Sequence, residues 1–422
     1  MDVEQCKSVE KELVVMAPIQ IKPQLSIGNI YDLSLADFYS KARRFAGVET
    51  IFPLLVNVNG DPLVSQVRKE HPFASAGLIR DTAETWVSRL SAQARSLSIN
   101  TDFMLRDDQI SVQLSKLIAA SYRERFIIGP VLIVECLGCV KIYGSDPSII
   151  NCKRCGKLNT VHVRKSLYTQ VRNQEILSSL ERAVFYPQGA RKELIQFVDT
   201  LPNLFNLVIE KQREYTLSYS GFKLDPRFTA IILPAILGAK SYTRRTWFHG
   251  DVIKKFDYYS YCYLGQIDQP THIVAHGVLL DESHKKFRWQ SDNGSSLQWL
   301  TRFLNNGVLR AYLTKGDLAK DRPLSEDILD AASPELTKLS VKIGRTLERR
   351  NLSVDKLGVR ESLQEDILEF NNSIEKFRFH DAFSIMTSYA KNCWKLCKAD
   401  KLSGAEQEAL STFRSIYFGN TI

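Results

Sequence analysis

Two residues separate Cys136 from Cys139, and Cys152 and Cys155 repeat that spacing after twelve intervening residues. A Cys-x2-Cys turn lets two thiolates grip one tetrahedral ion, and two such turns complete a zinc shell. Four thiolates leave no position for water or substrate, so the metal is expected to be structural and not catalytic. Gly138 inside the first pair and Gly156 after the last supply the backbone freedom that such turns need. The other cysteines, Cys6, Cys262, Cys393 and Cys397, are unclustered. In a reducing compartment the clustered four are expected to bind metal instead of pairing as disulfides.

The elements that must hold this knuckle follow from hydrophobic spacing. Glu12 to Met16 is a short apolar run ending near Pro18, and Tyr31 to Ala46 carries Leu33, Leu35, Phe38, Ala42 and Phe45 at helical spacing before Gly47, a natural C-cap. Thr50 to Val58 is apolar again and closes in Asn59-Gly60-Asp61-Pro62. Strand, loop, helix and strand in that order form a βαβ opening, from which a parallel sheet follows. Helical stretches are expected at Thr82 to Ser96 and Gln109 to Arg123. Strand-like runs, Val131 to Val134 and Thr160 to Val163, flank the cysteines, so that region reads as a small β-rich insertion. The sheet pattern is expected to resume near Thr229 to Leu237 and at His272 to Leu280. From Pro334 the chain reads as helical, with a boundary in the polar stretch Asp321 to Ser333.

With 422 residues, 44% of them hydrophobic, the chain can bury the cores of two or three domains. No stretch reaches the roughly 18 apolar residues of a membrane span, and the charged start, Met1 to Glu12, does not resemble a secretion signal. A cytoplasmic protein with no membrane role is expected. The net charge of +9 would suit a nucleic-acid partner, but the basic residues are scattered.

An ordered series of segments resembles methionyl-tRNA synthetase, a class I aminoacyl-tRNA synthetase. Asp37-Phe38-Tyr39 through Arg43-Arg44-Phe45-Ala46-Gly47 is similar to the helix after that family's HIGH signature. Leu97 to Asp102 resembles the segment leading into its connective peptide, and the cysteine knuckle sits where the family keeps its own. Thr271 to Gly277 resembles the strand before the KMSKS loop, and Trp299-Leu300 with Leu309-Arg310 and Tyr312 fits the joining helix. The resemblance implies an α/β fold: a Rossmann-type catalytic domain interrupted by a zinc-bearing connective peptide, then an all-α anticodon-binding-like bundle. The corresponding bounds are 1–125 and 171–325 for the two catalytic halves, 126–170 for the insertion and 326–422 for the bundle. Phe413 to Phe418 reads as the opening of the last bundle helix, and no C-terminal tRNA-binding appendage is expected.

The same resemblance implies where chemistry has drifted. The first ATP signature falls at Ser26-Ile27-Gly28-Asn29, where Gly28 permits close approach of the adenine, Asn29 is a tolerated variant and Ser26 replaces a phosphate-reaching histidine. The second falls at Lys285-Lys286-Phe287-Arg288-Trp289: Lys285, Lys286 and Arg288 keep positive charge, either for a polyanion or as an exposed basic loop. Neutral Asn57 stands where a carboxylate receives the α-amino group of methionine. Ile232 and Ala239 take the places of aromatic pocket walls, and Asp257 that of a pocket histidine. Removing cation, ammonium partner and walls together exceeds the roughly 3 kcal/mol of one catalytic interaction.

Two functions are compatible with this pattern. One is a synthetase-like protein that has lost normal methionine and ATP activation, does not charge tRNA and serves as a binding or accessory protein, a pseudoenzyme with tRNA or another protein as partner. The other is a repurposed, tRNA-independent enzyme of a secondary-metabolite pathway that activates or ligates a small-molecule amino acid. For that enzyme the cleft candidates are His249, Asp251, Asp257, His272, His276, Lys285, Lys286 and Arg288. Structural zinc is the expected metal, and ATP is an uncertain cofactor under these substitutions.

Overall fold

The structure, a computed structural model, describes residues 10–59, 61–110, 124–136, 150–152, 156–210, 217–225, 242–250, 272–286, 297–348 and 361–419, with isolated positions between them. The first apolar run forms β1 (Lys11–Met16) and β2 (Ile19–Gln20), one path broken at Pro18. The second forms β3 (Glu49–Ile51) and β4 (Leu54–Asn57), broken at Pro53. Each break falls at a residue without the amide that a ladder needs. Between them runs α1 (Ile27–Phe45), longer at its start than the spacing predicts because Ser26 caps it. It stops as expected before Gly47, whose φ of +84° suits glycine.

The chain continues through α2 (Asp61–Glu70), α3 (Ala76–Ser96) and β5 (Met104–Arg106). The inserted region is built on the long strands β6 (Phe126–Cys136) and β7 (Asn159–Arg172), which pair antiparallel from Phe126 opposite Thr169 to Cys136 opposite Asn159. After α4 (Asn173–Arg182), β8 (Val184–Tyr186) and α5 (Gln188–Asp199), strand β9 (Leu204–Val208) adds to β7. A small hairpin, β10 (Ser218–Tyr219) with β11 (Phe222–Lys223), follows.

The expected strand at Thr229 to Leu237 is not observed: the described residues there, Leu233, Ile236 and Leu237, are helical, as is neighbouring Phe228. Leu233 and Leu237 lie four apart and both are buried, a helical period that an unbroken apolar run conceals. The sheet resumes instead at β12 (Arg244–Gly250), then β13 (His272–His276) and the short β14 (Leu279–Leu280). The main sheet has the order β3-β1-β12-β13-β8 with every pair parallel, and β2-β4-β5 extends it as a second parallel set. Strand order therefore reverses between β1 and β12. In open parallel sheets the crevice at the carboxyl ends of such a pair is where ligands bind.

Side chains of β1 alternate between two cores. Leu13 and Val15 pack with α4 and α5, whereas Val14 and Met16 pack with α1 and the C-terminal helices. Those helices begin with α6 (Leu297–Leu300) and α7 (Asn306–Thr314), followed by β15 (Arg322–Pro323) beside β14. Then come α8 (Glu326–Glu348), α9 (Glu361–Glu375), α10 (Phe379–Lys398) and α11 (Gly404–Phe418). Pro334 lies inside α8, so the helix starts earlier than the expected Pro334. Phe413 to Phe418 are the last turns of α11, not its opening; the start is fixed by a capping box of Ser403 and Glu406.

The bundle lies directly on the sheet face. Phe38 of α1 meets Phe379 at 4.7 Å and Tyr417 at 4.8 Å, and Tyr39 stacks on Phe377 at 5.2 Å. Two buried ion clusters cross the same seam. Glu12 takes hydrogen bonds from Tyr39 (2.9 Å) and Arg43 (2.8 Å) and lies 3.1 Å from Arg244. Asp37 pairs with Arg310, and neither side chain is exposed. Among the described residues no helix is long and apolar enough to cross a membrane.

Candidate functional site

The cleft is assembled where β1, β12 and β13 end and α1 begins. Ser26 sits before the first helical residue, and its hydroxyl accepts from the Asn29 amide at 3.3 Å while donating to the Asn29 side-chain oxygen at 2.6 Å. The Ser26 hydroxyl is thus satisfied within the signature and caps the helix end. Beside Gly28 the nearest atom to an added Cβ would be Ser26 Oγ, at 4.0 Å, so that face of the helix is open.

One turn further along α1 come Tyr31 and Asp32. Parallel pairing sets Gly250 at the end of β12 opposite His276 at the end of β13. A Cβ on Gly250 would lie 2.9 Å from the His276 ring, so glycine is what admits the imidazole here. His276 Nδ1 lies 2.9 Å from the Gly277 carbonyl, its Nε2 lies 3.3 Å from Asp32 Oδ1, and Tyr31 meets the ring edge-on at 5.3 Å. Gly28, Tyr31, Asp32, Gly250, His276 and Lys286 line a cavity of about 80 Å³. Burial pushes the Asp32 carboxyl up, opposed by His276 and Lys286. His249, buried next to this cavity's Gly250, is pushed down to about 4 by burial, with the Gly250 carbonyl working against the shift and His276 and Lys286 adding to it. It is therefore a neutral imidazole at physiological pH.

Of the sequence candidates, the structure brings Gly28, His276 and Lys286 to one cavity. His272 is not there: it stands at the opposite end of β13, four residues or roughly 13 Å away. There it lies near Arg244 and Glu12, and burial lowers it to about 4. Lys285 is exposed, in a turn closed by Asp281, whose carboxylate accepts the Ser283 and Lys285 amides. Asn57 is buried at the end of β4. Nearby is a carboxylate that the sequence reading missed: Asp107 accepts the amides of Val58 (2.7 Å) and Asn59 (3.3 Å) and is fully buried. Burial pushes it up to about 7 against those two amides. Asp32 was also missed, although it lies four residues after Gly28 and hence on the same helical face, a spacing that would have found it. Ile232, Ala239, Asp251, Asp257 and Arg288 lie outside the described residues.

In the knuckle, Cys136 is the last residue of β6 and Cys152 follows the bridge of Asn151 to Leu158; both are buried. The Cys152 carbonyl accepts from the Gly156 amide at 2.8 Å, and Gly156 has a φ of +75°. Cys139 and Cys155 lie outside the described residues.

The wall of the cleft beyond His276 is held by the connection between α7 and α8. Gly277 donates to the Leu318 carbonyl at 2.8 Å, and Val278 donates to Asp321 at 2.8 Å. A Cβ on Gly277 would fall 2.2 Å from the Lys320 carbonyl oxygen. Gly277→Ala is therefore expected to cost about 1–3 kcal/mol as the two segments are forced apart. Thermal unfolding checks this; an unchanged midpoint would mean that the contact gives way freely.

A parallel sheet reversed between β1 and β12, an antiparallel insertion and a helical bundle on the sheet face form the fold of a class I aminoacyl-tRNA synthetase. No family model and no curated protein matches the sequence. The solved structures that the chain resembles include methionyl-tRNA synthetase of Mycobacterium tuberculosis bound by methionyl-adenylate: TM-score 0.71, 14% identity, 97% of this chain and 89% of that one. A second complex of a M. tuberculosis methionyl-tRNA synthetase with methionyl-adenylate gives 0.69 at 15% identity, over 97% of this chain and 89% of that one. The leucyl-tRNA synthetase of Agrobacterium radiobacter K84, with tRNA and LeuAMS, gives 0.72 at 10% identity over 98% and 84% of the respective chains.

Proposed function

We propose that this chain is a synthetase-like protein that does not activate methionine and acts as a binding or accessory protein. The observation that carries this reading is the start of α1. Ser26, at the position where a phosphate-reaching histidine is expected, donates to the Asn29 side-chain oxygen at 2.6 Å and accepts the Asn29 amide at 3.3 Å, so its hydroxyl is spent on capping its own helix. A short hydroxyl whose hydrogen is held by the Asn29 side-chain oxygen supplies no donor to charge developing on phosphate. The cavity behind them, about 80 Å³ and holding the Asp32 carboxyl, supports the same reading, since small-molecule pockets ordinarily begin at roughly 300 Å³. The expected outcome is no methionine-dependent exchange of pyrophosphate into ATP by the purified chain. Exchange above a no-enzyme control would overturn the proposal.

A second reading, an altered amino-acid-activating or ligating enzyme, draws support from the convergence of Asp32, His249, His276 and Lys286 at one cleft. Calorimetric ATP binding together with exchange driven by an amino acid other than methionine would favour it. Cys136, Cys139, Cys152 and Cys155 would hold one structural zinc, which closes the turn at the tip of β6 and β7 and takes no part in chemistry. Metal analysis is expected to give one zinc per chain, reduced in Cys152→Ser; an equal content in that variant would remove Cys152 from the shell. The fold and the charge of +9 also support tRNA as a partner held through its phosphates.

A further inference from the structure

His276 has one ring nitrogen whose role is settled by its neighbour. Nδ1 faces the Gly277 carbonyl at 2.9 Å, and a carbonyl only accepts, so Nδ1 carries hydrogen. Nε2 is buried without an aligned hydrogen-bond partner among the described residues, in a side chain that is 1% exposed. Its nearest charge is Asp32 Oδ1 at 3.3 Å, and the Asp32 side chain is 22% exposed. The imidazole thus stands behind, and the carboxylate stands in front, facing the cavity. With Nδ1 protonated, a neutral ring turns a lone pair toward a carboxylate, two acceptors with nothing between them. That arrangement needs a hydrogen donor. A proton on Nε2 supplies it, and so does a ligand with several N–H groups. Around the pair stand Tyr31 of α1, His249 at the end of β12 and Lys286 after β14, with Arg322 reaching Tyr31 from the far side. Gly28 and Gly250 keep the approach open.

We propose that Asp32 and His276 form a subsite for a primary ammonium group, which donates one hydrogen bond to the Asp32 carboxylate and another to His276 Nε2. Asp32 is the charged contact, and His276, fixed through Gly277, is the second acceptor. The ammonium supplies the hydrogens that the two acceptors lack, and no covalent bond is made or broken. Ligands without N–H groups cannot donate to the two acceptors. The subsite rests on the reading of this cleft as a ligand site, but not on the loss of methionine activation.

The test uses the full chain labelled with ¹⁵N-histidine, with the His276 ring assigned by His276→Gln. Methylammonium chloride is compared with tetramethylammonium chloride at equal ionic strength. Nδ1 is expected to stay protonated throughout, and methylammonium is expected to shift the Nε2 resonance as that nitrogen accepts a hydrogen bond. Tetramethylammonium should leave it unchanged, and Asp32→Asn should weaken the methylammonium response about tenfold or more, the effect of one charge-assisted hydrogen bond. The proposal is overturned by an unprotonated Nδ1, by no response to methylammonium, by an equal response to tetramethylammonium, or by a wild-type response in Asp32→Asn. The cation comparison within the wild-type chain needs no variant to fold. Methionine-dependent pyrophosphate exchange would strike the proposed function and leave this subsite standing.

Discussion

Replacing Arg310 by methionine is expected to destabilise the protein by about 3–5 kcal/mol, the cost of leaving one member of a buried ion pair alone. Arg310 is fully buried on α7, pairs with Asp37 of α1 and donates from Nε to the Ile416 carbonyl of α11 at 2.9 Å. Asp37 also takes the Asn100 amide at 2.8 Å and lies 3.1 Å from Lys41. Without the guanidinium, a buried carboxylate keeps only those two partners, and the α11 carbonyl loses its donor. The double variant Asp37→Leu with Arg310→Met should recover part of the loss, because it removes the stranded charge. Urea unfolding measures both; a loss under about 1 kcal/mol in the single variant would mean that the pair behaves as a solvated surface pair.

The second large effect is a dependence on pH. Asp107 titrates near 3.8 when unfolded and at about 7 when folded, because burial disfavours its anion. Below the unfolded value both states hold the proton and nothing is lost. As pH rises the unfolded chain releases the proton first, so stability falls until the folded group also ionises near pH 7. The gap of about three pKa units corresponds to about 4 kcal/mol. Asp107→Asn removes this ionisation while keeping an oxygen for the Val58 and Asn59 amides. The stability difference between the two proteins should therefore grow in favour of the variant from pH 4 to pH 7.5. His249 and His272 oppose the trend between pH 6.5 and 4, but they are common to both proteins and cancel. Parallel profiles would show that Asp107 ionises normally.

What the sequence disclosed is what local periodicity encodes. The apolar run after Glu12, the helical spacing from Tyr31 to Phe45 and the glycine that stops it are each written in neighbouring residues, and the resulting βαβ order is observed. The run from Thr229 to Leu237 misled because a short apolar stretch has no polar face to mark its period. Asp32 and Asp107 escaped for a different reason: neither belongs to a motif. Asp32 gains its neighbour from a glycine more than two hundred positions away, since only the parallel register of β12 and β13 sets Gly250 beside His276. Asp107 is made unusual by burial, which depends on the folded chain and not on the adjacent letters.

The pairing of β14 with β15 changes where this protein can be divided. Leu279 and Leu280 lie beside Arg322 and Pro323, and Leu324 donates back to the Leu280 carbonyl at 2.8 Å. Arg322 in turn holds the carbonyls of Tyr312 and Leu313 at 2.9 Å. The polar stretch that reads as a linker thus includes a strand of the cleft wall, and the aromatic seam behind it packs the two halves ring against ring. Catalytic-like half and bundle therefore form one cooperative unit, which should lose amide-exchange protection together. A truncation meant to excise the bundle would instead open the cleft.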